Sequence, residues 1–217
     1  MNKSFDMVIL TKSSKFHENC VAGVDCETGE LVRLVTDNAE KHGALSYEDL
    51  IMDNGAPALP LYIVHVQNAE KVNGDVQTEN YRIDRRKRLQ FIKRITVEEM
   101  INTYISPSRE REVFSGIWPK MYYADAQRVG HSLEVLLVSN LTLNTQLNIY
   151  GKPKTKADFW MNGVHFRDFS VTDRSYYGQD GDVRNVGKAC IVCSIADDQK
   201  AKEIGYYKFI SAIYELH

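Results

Sequence analysis

Met7-Val8-Ile9-Leu10-Thr11-Lys12-Ser13-Ser14-Lys15 opens the stretch that decides the fold. Asn19-Cys20-Val21-Ala22-Gly23-Val24-Asp25 and Glu30-Leu31-Val32-Arg33-Leu34-Val35 follow at once. The first run reads as a strand leading into a polar loop, Thr11 to Glu18. The next two read as strands joined by the turn Glu27-Thr28-Gly29-Glu30, where Gly29 is free to take positive φ. Short apolar runs joined by tight connections are the mark of an antiparallel meander.

Working outward, period two dominates. Leu59 to Val72 reads as a strand, Asn73-Gly74 as a hairpin turn, and Thr78 to Ile83 as its return. Ser46 to Met52 fits a short helix with Ser46 and Asp49 as a capping box. The main helix begins at Thr96, with Glu99 three residues later, and ends at Ser106-Pro107. Residues 107–130 read as loop and connector. Beyond them come strands at Leu133–Val138 and Leu141–Ile149, then a lysine-bearing turn, Gly151 to Lys154. The hairpin Phe159–Phe166 turns on Asn162-Gly163. After a loop from Tyr176 to Gly187, strands at Ala189–Ile195 and Tyr206–Leu216 are separated by the acidic Asp197-Asp198. The pattern predicts a mainly β (β-rich α+β) fold. Two small barrels in tandem, with one main helix between them, is the most economical arrangement, because closure removes edge strands. A single large sandwich is the alternative. The expected divisions are 1–84, a basic segment with helix and connector at 85–130, and 131–217.

The bulk composition, 43% hydrophobic and 26% charged over 217 residues, is that of a globular chain. No apolar run approaches the ~18 residues of a membrane span. The N-terminus lacks a signal-peptide pattern, so a cytoplasmic protein without membrane contact is expected. Net charge is −2, yet residues 82–94 hold Arg82, Arg85, Arg86, Lys87, Arg88, Lys93 and Arg94 against Asp84 alone. Seven bases against one acid give +6, which leaves −8 for the remainder. Such a patch either binds phosphate or is a solvated face preceding the helix. Basic groups ahead of a helix N-terminus oppose its dipole, so a bound phosphate or acids such as Glu98 and Glu99 must compensate them. Cys190-Ile191-Val192-Cys193 has zinc half-site spacing but lies on an apparent strand, so core thiols are the expectation for Cys190 and Cys193.

Thr11-Lys12-Ser13-Ser14-Lys15, Cys20-Val21-Ala22-Gly23-Val24-Asp25, Thr28-Gly29-Glu30 and Val32-Arg33-Leu34-Val35 together resemble the N-terminal signature of bacterial dual OB-domain proteins. Val171-Thr172-Asp173, Val192-Cys193-Ser194-Ile195 and Tyr207-Lys208-Phe209-Ile210-Ser211-Ala212-Ile213 are similar to its C-terminal end. The resemblance implies two OB-like barrels and a nucleic-acid-binding role. It supplies no catalytic residues.

Two sets of candidate binding residues follow. Lys12, Lys15 and Arg33 would meet at one barrel rim, where lysines act as point charges and arginine as a fork. The 82–94 bases with Trp118, Tyr122 and Tyr123 would form a basic groove with stacking aromatics. Single-stranded DNA or RNA is favoured over duplex, because the one expected helix lacks a basic recognition face. The chain has no phosphate-cradling glycine loop, G-x-S-x-G or H-E-x-x-H, so no catalytic residue, cofactor or metal is expected. The alternatives are an interaction module docking an acidic protein partner, and a metal-dependent enzyme using Asp173, Asp180 and Asp182 near His165.

Overall fold

The computed structural model describes all residues except Met1, Phe16, His17, Asn73, Arg109, 196–200 and His217; for Ser14, Lys15, Ala201 and Lys202 it describes the backbone alone. By its contacts the chain divides into Met1–Ser106 and Pro107–His217.

The first unit contains β1 (Asn2–Lys15), β2 (Glu18–Asp25), β3 (Leu31–Val35), β4 (Tyr62–Lys71), β5 (Asn80–Arg82) and β6 (Gln90–Arg94). β1 pairs with β2, β2 with β3, β3 in parallel with β5, β5 with β4, and β4 returns to β1. This closed ring is the five-stranded Greek-key order of an OB-type barrel. β6 extends the pairing along β4. The structure corrects the polar-loop reading of Thr11 to Glu18. β1 continues to Lys15, in register with β2, after a bulge between Ile9 and Thr11. β1 serves two neighbours, β4 along residues 2–8 and β2 along residues 7–15, so Met7 and Val8 pair on both sides. Thr11 and Ser13 are buried there, so hydroxyls occupy positions that a hydrophobic pattern does not mark. Met7, Ile9, Val21, Val32, Leu34, Val64 and Val66 alternate into one core with Leu45, Leu50 and Met52 from the β3–β4 connection.

Asp25 anchors the β2–β3 turn. Its buried carboxylate accepts from the Lys3 ammonium at 2.7 Å and from the N–H groups of Glu27 and Thr28 at 2.9 and 3.2 Å. Burial works against its charge, but Lys3 and the two N–H groups outweigh that and hold the carboxyl below its ordinary value. A carboxyl lowered by folding stabilises the fold above its unfolded pKa, and that stabilisation fades as pH falls through the folded value. Asp25→Asn is expected to cost about 2 kcal/mol at neutral pH and to flatten the acid limb of a stability–pH curve from urea midpoints. An unaltered acid limb would contradict this role.

Residues 82–106 belong to the first unit. Thr96 Oγ1 accepts from Glu99 N at 3.0 Å, as its cap role requires. The helix it starts, α1 (Val97–Glu99), gives way to a π-helical turn, Met100–Tyr104, before Pro107.

The second unit contains β7 (Lys120–Met121), α2 (Tyr123–Val129), β8 (Leu133–Leu147), β9 (Pro153–Met161), β10 (Val164–Val171), β11 (Val183–Ile195), α3 (Ala201–Ile204) and β12 (Tyr206–Leu216). The ring repeats in the same order: β8–β9–β10, β10 parallel to β12, β12–β11, and β11 back to β8. It is a second OB-type barrel. Asn162 and Gly163 take φ of 49° and 80°, the left-handed pair of the predicted hairpin. Phe159, Phe166 and Phe169 pack ring to ring inside, with Leu141, Leu143 and Ala157 also buried.

Three expectations need correction here. The 107–130 connector contains β7 and α2. α2 has no side-chain N-cap bond and buries only Ala126, so neither cap nor stripe marked it, although Gly130 closes it at φ 71°. The two strands expected between 133 and 149 are one bulged strand, β8, in which Asn140 takes φ 50°. β11 begins at Val183, inside the expected loop, while Asn73 and Asp197-Asp198 lie outside the described residues. Among the described residues, no helix is long and apolar enough to cross a membrane.

Candidate nucleic-acid interface

The rim expected from Lys12, Lys15 and Arg33 is not presented to solvent as a set. Lys12 lies on β1, where its ammonium donates to the Ala58 carbonyl at 3.3 Å. The Lys15 side chain lies outside what is described. Arg33 is 1% exposed; it alternates with the core residues Val32 and Leu34 and so points to the opposite face of β3. Ala22, Val24 and Val35, which share that outward parity on β2 and β3, are buried too. Asp25 pairs with Lys3, not with Arg33.

The basic segment is largely neutralised by its surroundings. Arg82 pairs with Glu70, Arg85 with Asp49 at 2.7 Å, and Lys93 with Glu99 at 2.6 Å. Arg86 grips Asp84 with both Nε and Nη2 at 2.9 Å, which holds the Asp84 carboxyl well below the usual range. Seven bases against one acid thus become seven against four. Lys93–Glu99 also answers the helix-dipole question in favour of an acid. Lys87, Arg88 and Arg94 are exposed and form no ion pair among the described residues. Lys87 and Arg88 share a shallow groove of about 400 Å³ with Arg85, Ile51, Ile83, Glu48 and Asp49.

The expected aromatics belong to the second unit. Trp118 and Tyr122 are exposed, at 71% and 78%. Tyr123 instead lies half-buried beside Tyr206, with ring centres 6.1 Å apart.

A different surface of the second barrel gathers more of the required chemistry. On β9, Thr155, Ala157, Phe159 and Met161 point inward, so Lys154, Lys156, Asp158 and Trp160 point outward. A bulge between Phe166 and Phe169 brings both Arg167 and Asp168 of β10 to the same outer side, with Asp168 at φ 64°. Asp158 accepts from Asp168 N at 2.8 Å, and Lys156 donates to Asp168 at 3.0 and 3.2 Å, which fixes the bulge. Trp160, 40% exposed, stacks on His165 with centres 4.7 Å apart and planes 3° apart. Arg167 Nε donates to His165 Nδ1 at 3.0 Å and so orients the ring. A shallow cleft of about 370 Å³ runs along this face between Thr142, Asn144 and Gln146 of β8 and Lys156, Asp158 and Arg167. Burial, and then the charge of Lys156, lower the Lys154 ammonium's pKa, while Asp168 acts against them. The face has fixed cations and a rigid aromatic plate on a flat surface, which is what a backbone phosphate and an unstacked base require.

Sequence reasoning missed this face. Its signal was the parity Lys154, Lys156, Asp158, Trp160 within the clearest hairpin of the chain, once one asks which parity is turned outward.

The carboxylates at 173–182 are engaged with backbone. Asp173 accepts from Ser175 N and Ile213 N, Asp180 from Leu147 N, and Asp182 from Gln179 N, at 2.6–3.1 Å. No cluster of metal-ligating side chains occurs among the described residues. Cys190 and Cys193 are buried on β11, and burial pushes the Cys190 thiol up to about 12 and Cys193 upward as well. They are core thiols.

The model of the dual OB-containing domain matches residues 5–213. No curated protein matches the chain. Among solved structures it is similar to the tetrameric p202 HIN2, at 10% identity over 100% of this chain and 94% of that one, with a TM-score of 0.32. It is also similar to the p204 HINb domain, at 9% over 96% and 97%, TM-score 0.34. A murine DNA-binding protein bound to double-stranded DNA is similar at 6% over 99% and 97%, TM-score 0.33.

Proposed function

Because the chain belongs to the dual OB-containing domain family, we propose that it is a nucleic-acid-binding module whose ligand lies across the outer β8–β9–β10 face of the second barrel. OB barrels bind oligonucleotides and oligosaccharides on the face of their second and third strands. In the second barrel those strands are β9 and β10. The single observation that carries the reading is the contrast between the barrels. On the outer face of β2 and β3, Ala22, Val24, Arg33 and Val35 are buried, whereas on β9 and β10 Lys154, Trp160 and Arg167 are exposed and Lys156 and His165 half-buried.

The ligand is single-stranded. A flat sheet face offers bases a plate to stack on, whereas reading a duplex requires an element that enters a groove. α2, seven residues long, ties its Arg128 to Asp125 and offers no basic face. Lys87, Arg88 and Arg94 add positive field that steers a polyanion toward the protein, and Trp118 and Tyr122 remain further stacking candidates.

Three substitutions test the assignment in oligonucleotide titrations across salt. Trp160→Ala is expected to cost about 1–3 kcal/mol of binding without changing the salt slope. Lys154→Glu is expected to lower affinity and reduce the slope by about one. Arg86→Ala is expected to change neither, since Arg86 is committed to Asp84. Equal losses in all three would place binding elsewhere.

A further inference from the structure

The β8–β9 hairpin ends in a turn whose display contradicts its construction. Its backbone is fixed by four hydrogen bonds. Asn148 Oδ1 accepts from Tyr150 N at 2.9 Å and Lys152 N at 3.1 Å, Gly151 N donates to Asn148 O, and Asn148 N donates to Lys152 O, both at 2.9 Å. Gly151, at φ 69°, supplies the left-handed residue that closes such a hairpin. The two central positions of a surface turn are normally polar. Here they hold Ile149 and Tyr150, 90% and 78% exposed, and Ile149 is the most exposed large apolar side chain among the described residues. A turn held this rigidly could carry serines at the same backbone cost. The apolar pair has no fold-level role, because neither side chain packs on the barrel.

The surrounding charge identifies the occupant. Lys152, Lys154 and Lys156 follow on the same arm, and no acid intervenes before Asp158. Lys156 pairs with Asp168 at 3.2 Å, whereas Lys152 and Lys154 form no ion pair among the described residues, and Asp180 accepts from Leu147 N at 3.0 Å. Apolar groups that lead a row of cations suit a ligand with flat apolar units strung on an anionic backbone. Resting on the nucleic-acid reading above, we infer that Ile149 and Tyr150 form a wedge that inserts between adjacent bases, while Lys152 and Lys154 behind it hold the phosphates. Apolar side chains driven between base steps unstack them in this way. The Trp160 plate lies farther along the same strand, β9, so a strand parted at the tip would run onto it.

The test uses the full chain and a single-stranded oligonucleotide with 5-iodouracil at successive positions, photocrosslinked and mapped by mass spectrometry. The expected crosslink falls on Tyr150. The Ile149→Ser/Tyr150→Ser double variant, with an unchanged melting temperature, should bind about tenfold more weakly at an unchanged salt slope, since each stacked base contributes about that factor. Salt-sensitive binding with crosslinks only to other aromatics, or with undiminished affinity in the double variant, overturns the wedge and leaves the binding face standing. Absence of salt-sensitive binding overturns both. Tip-dependent sedimentation with phosphatidylserine vesicles, without a crosslink, reassigns the tip to an anionic membrane surface and overturns the wedge.

Discussion

Gly23→Ala is expected to cost at least about 3 kcal/mol of stability, the upper range for forcing atoms into a packed interior. A methyl group at Gly23 would stand 2.0 Å from the Val8 carbonyl oxygen and 3.0 Å from its carbon. The obstacle is backbone, so no rotamer change can relieve it. Val8 is wholly buried and paired to both β2 and β4, so β1 can move only by loosening two seams of the barrel. Gly29→Ala is the control. Its position needs positive φ, 71°, but a methyl there meets nothing within 4 Å, and the cost should stay near 1 kcal/mol. Urea denaturation of the three proteins checks the contrast, and equal midpoints for the two variants would refute it.

Lys208→Ala should be of similar size, about 3 kcal/mol, for a different reason. Lys208, on β12, is 1% exposed, and its ammonium donates to the carbonyls of Val113 and Gly116, the latter at 3.0 Å. The loop it holds contains two consecutive left-handed residues, Phe114 at φ 46° and Ser115 at φ 60°, conformations that persist only where surroundings impose them. Phe114 N also donates to both oxygens of Glu134 at 3.1 Å. Alanine would leave a cavity where the lysine stem lay and orphan two carbonyls.

The pH dependence separates this account from simple packing loss. Burial lowers the Lys208 ammonium to about 8 from 10.5, against the pull of Glu134. Between those values the unfolded chain binds the extra proton, so wild-type stability gains up to about 1.4 kcal/mol per pH unit from this group as pH rises. The variant lacks that gain. The gap between wild type and Lys208→Ala should therefore widen from pH 8 to pH 10, and a constant gap would contradict the assignment.

The elements most legible in the sequence were those with local causes. The β2–β3 turn, the Asn162-Gly163 hairpin and the Thr96 cap each depend on a few adjacent residues, and each formed as expected. Thr11 to Lys15 did not, because their strand character comes from pairing with β2 and not from their own polarity. The family motif around Gly23 and Asp25 acquires structural reasons, close backbone approach and turn capping. The site was less legible because barrel closure decides it. Arg85 meets Asp49 and Arg82 meets Glu70 across distant sequence, so a run of +6 on paper loses much of its field. Arg33 and Trp160 both lie on strand positions of outward parity, and nothing local says that one is buried and the other open.

The most direct test of nucleic-acid binding is a titration of the wild-type chain with a fluorescent single-stranded oligonucleotide at several salt concentrations between about 50 and 200 mM, the range over which phosphate contacts reveal themselves. Saturable binding is expected, with an affinity whose logarithm falls linearly with the logarithm of salt concentration and with tryptophan fluorescence quenched in step, the quenching being reduced in Trp160→Ala. Absence of binding at the lowest salt, or binding indifferent to salt, would contradict it.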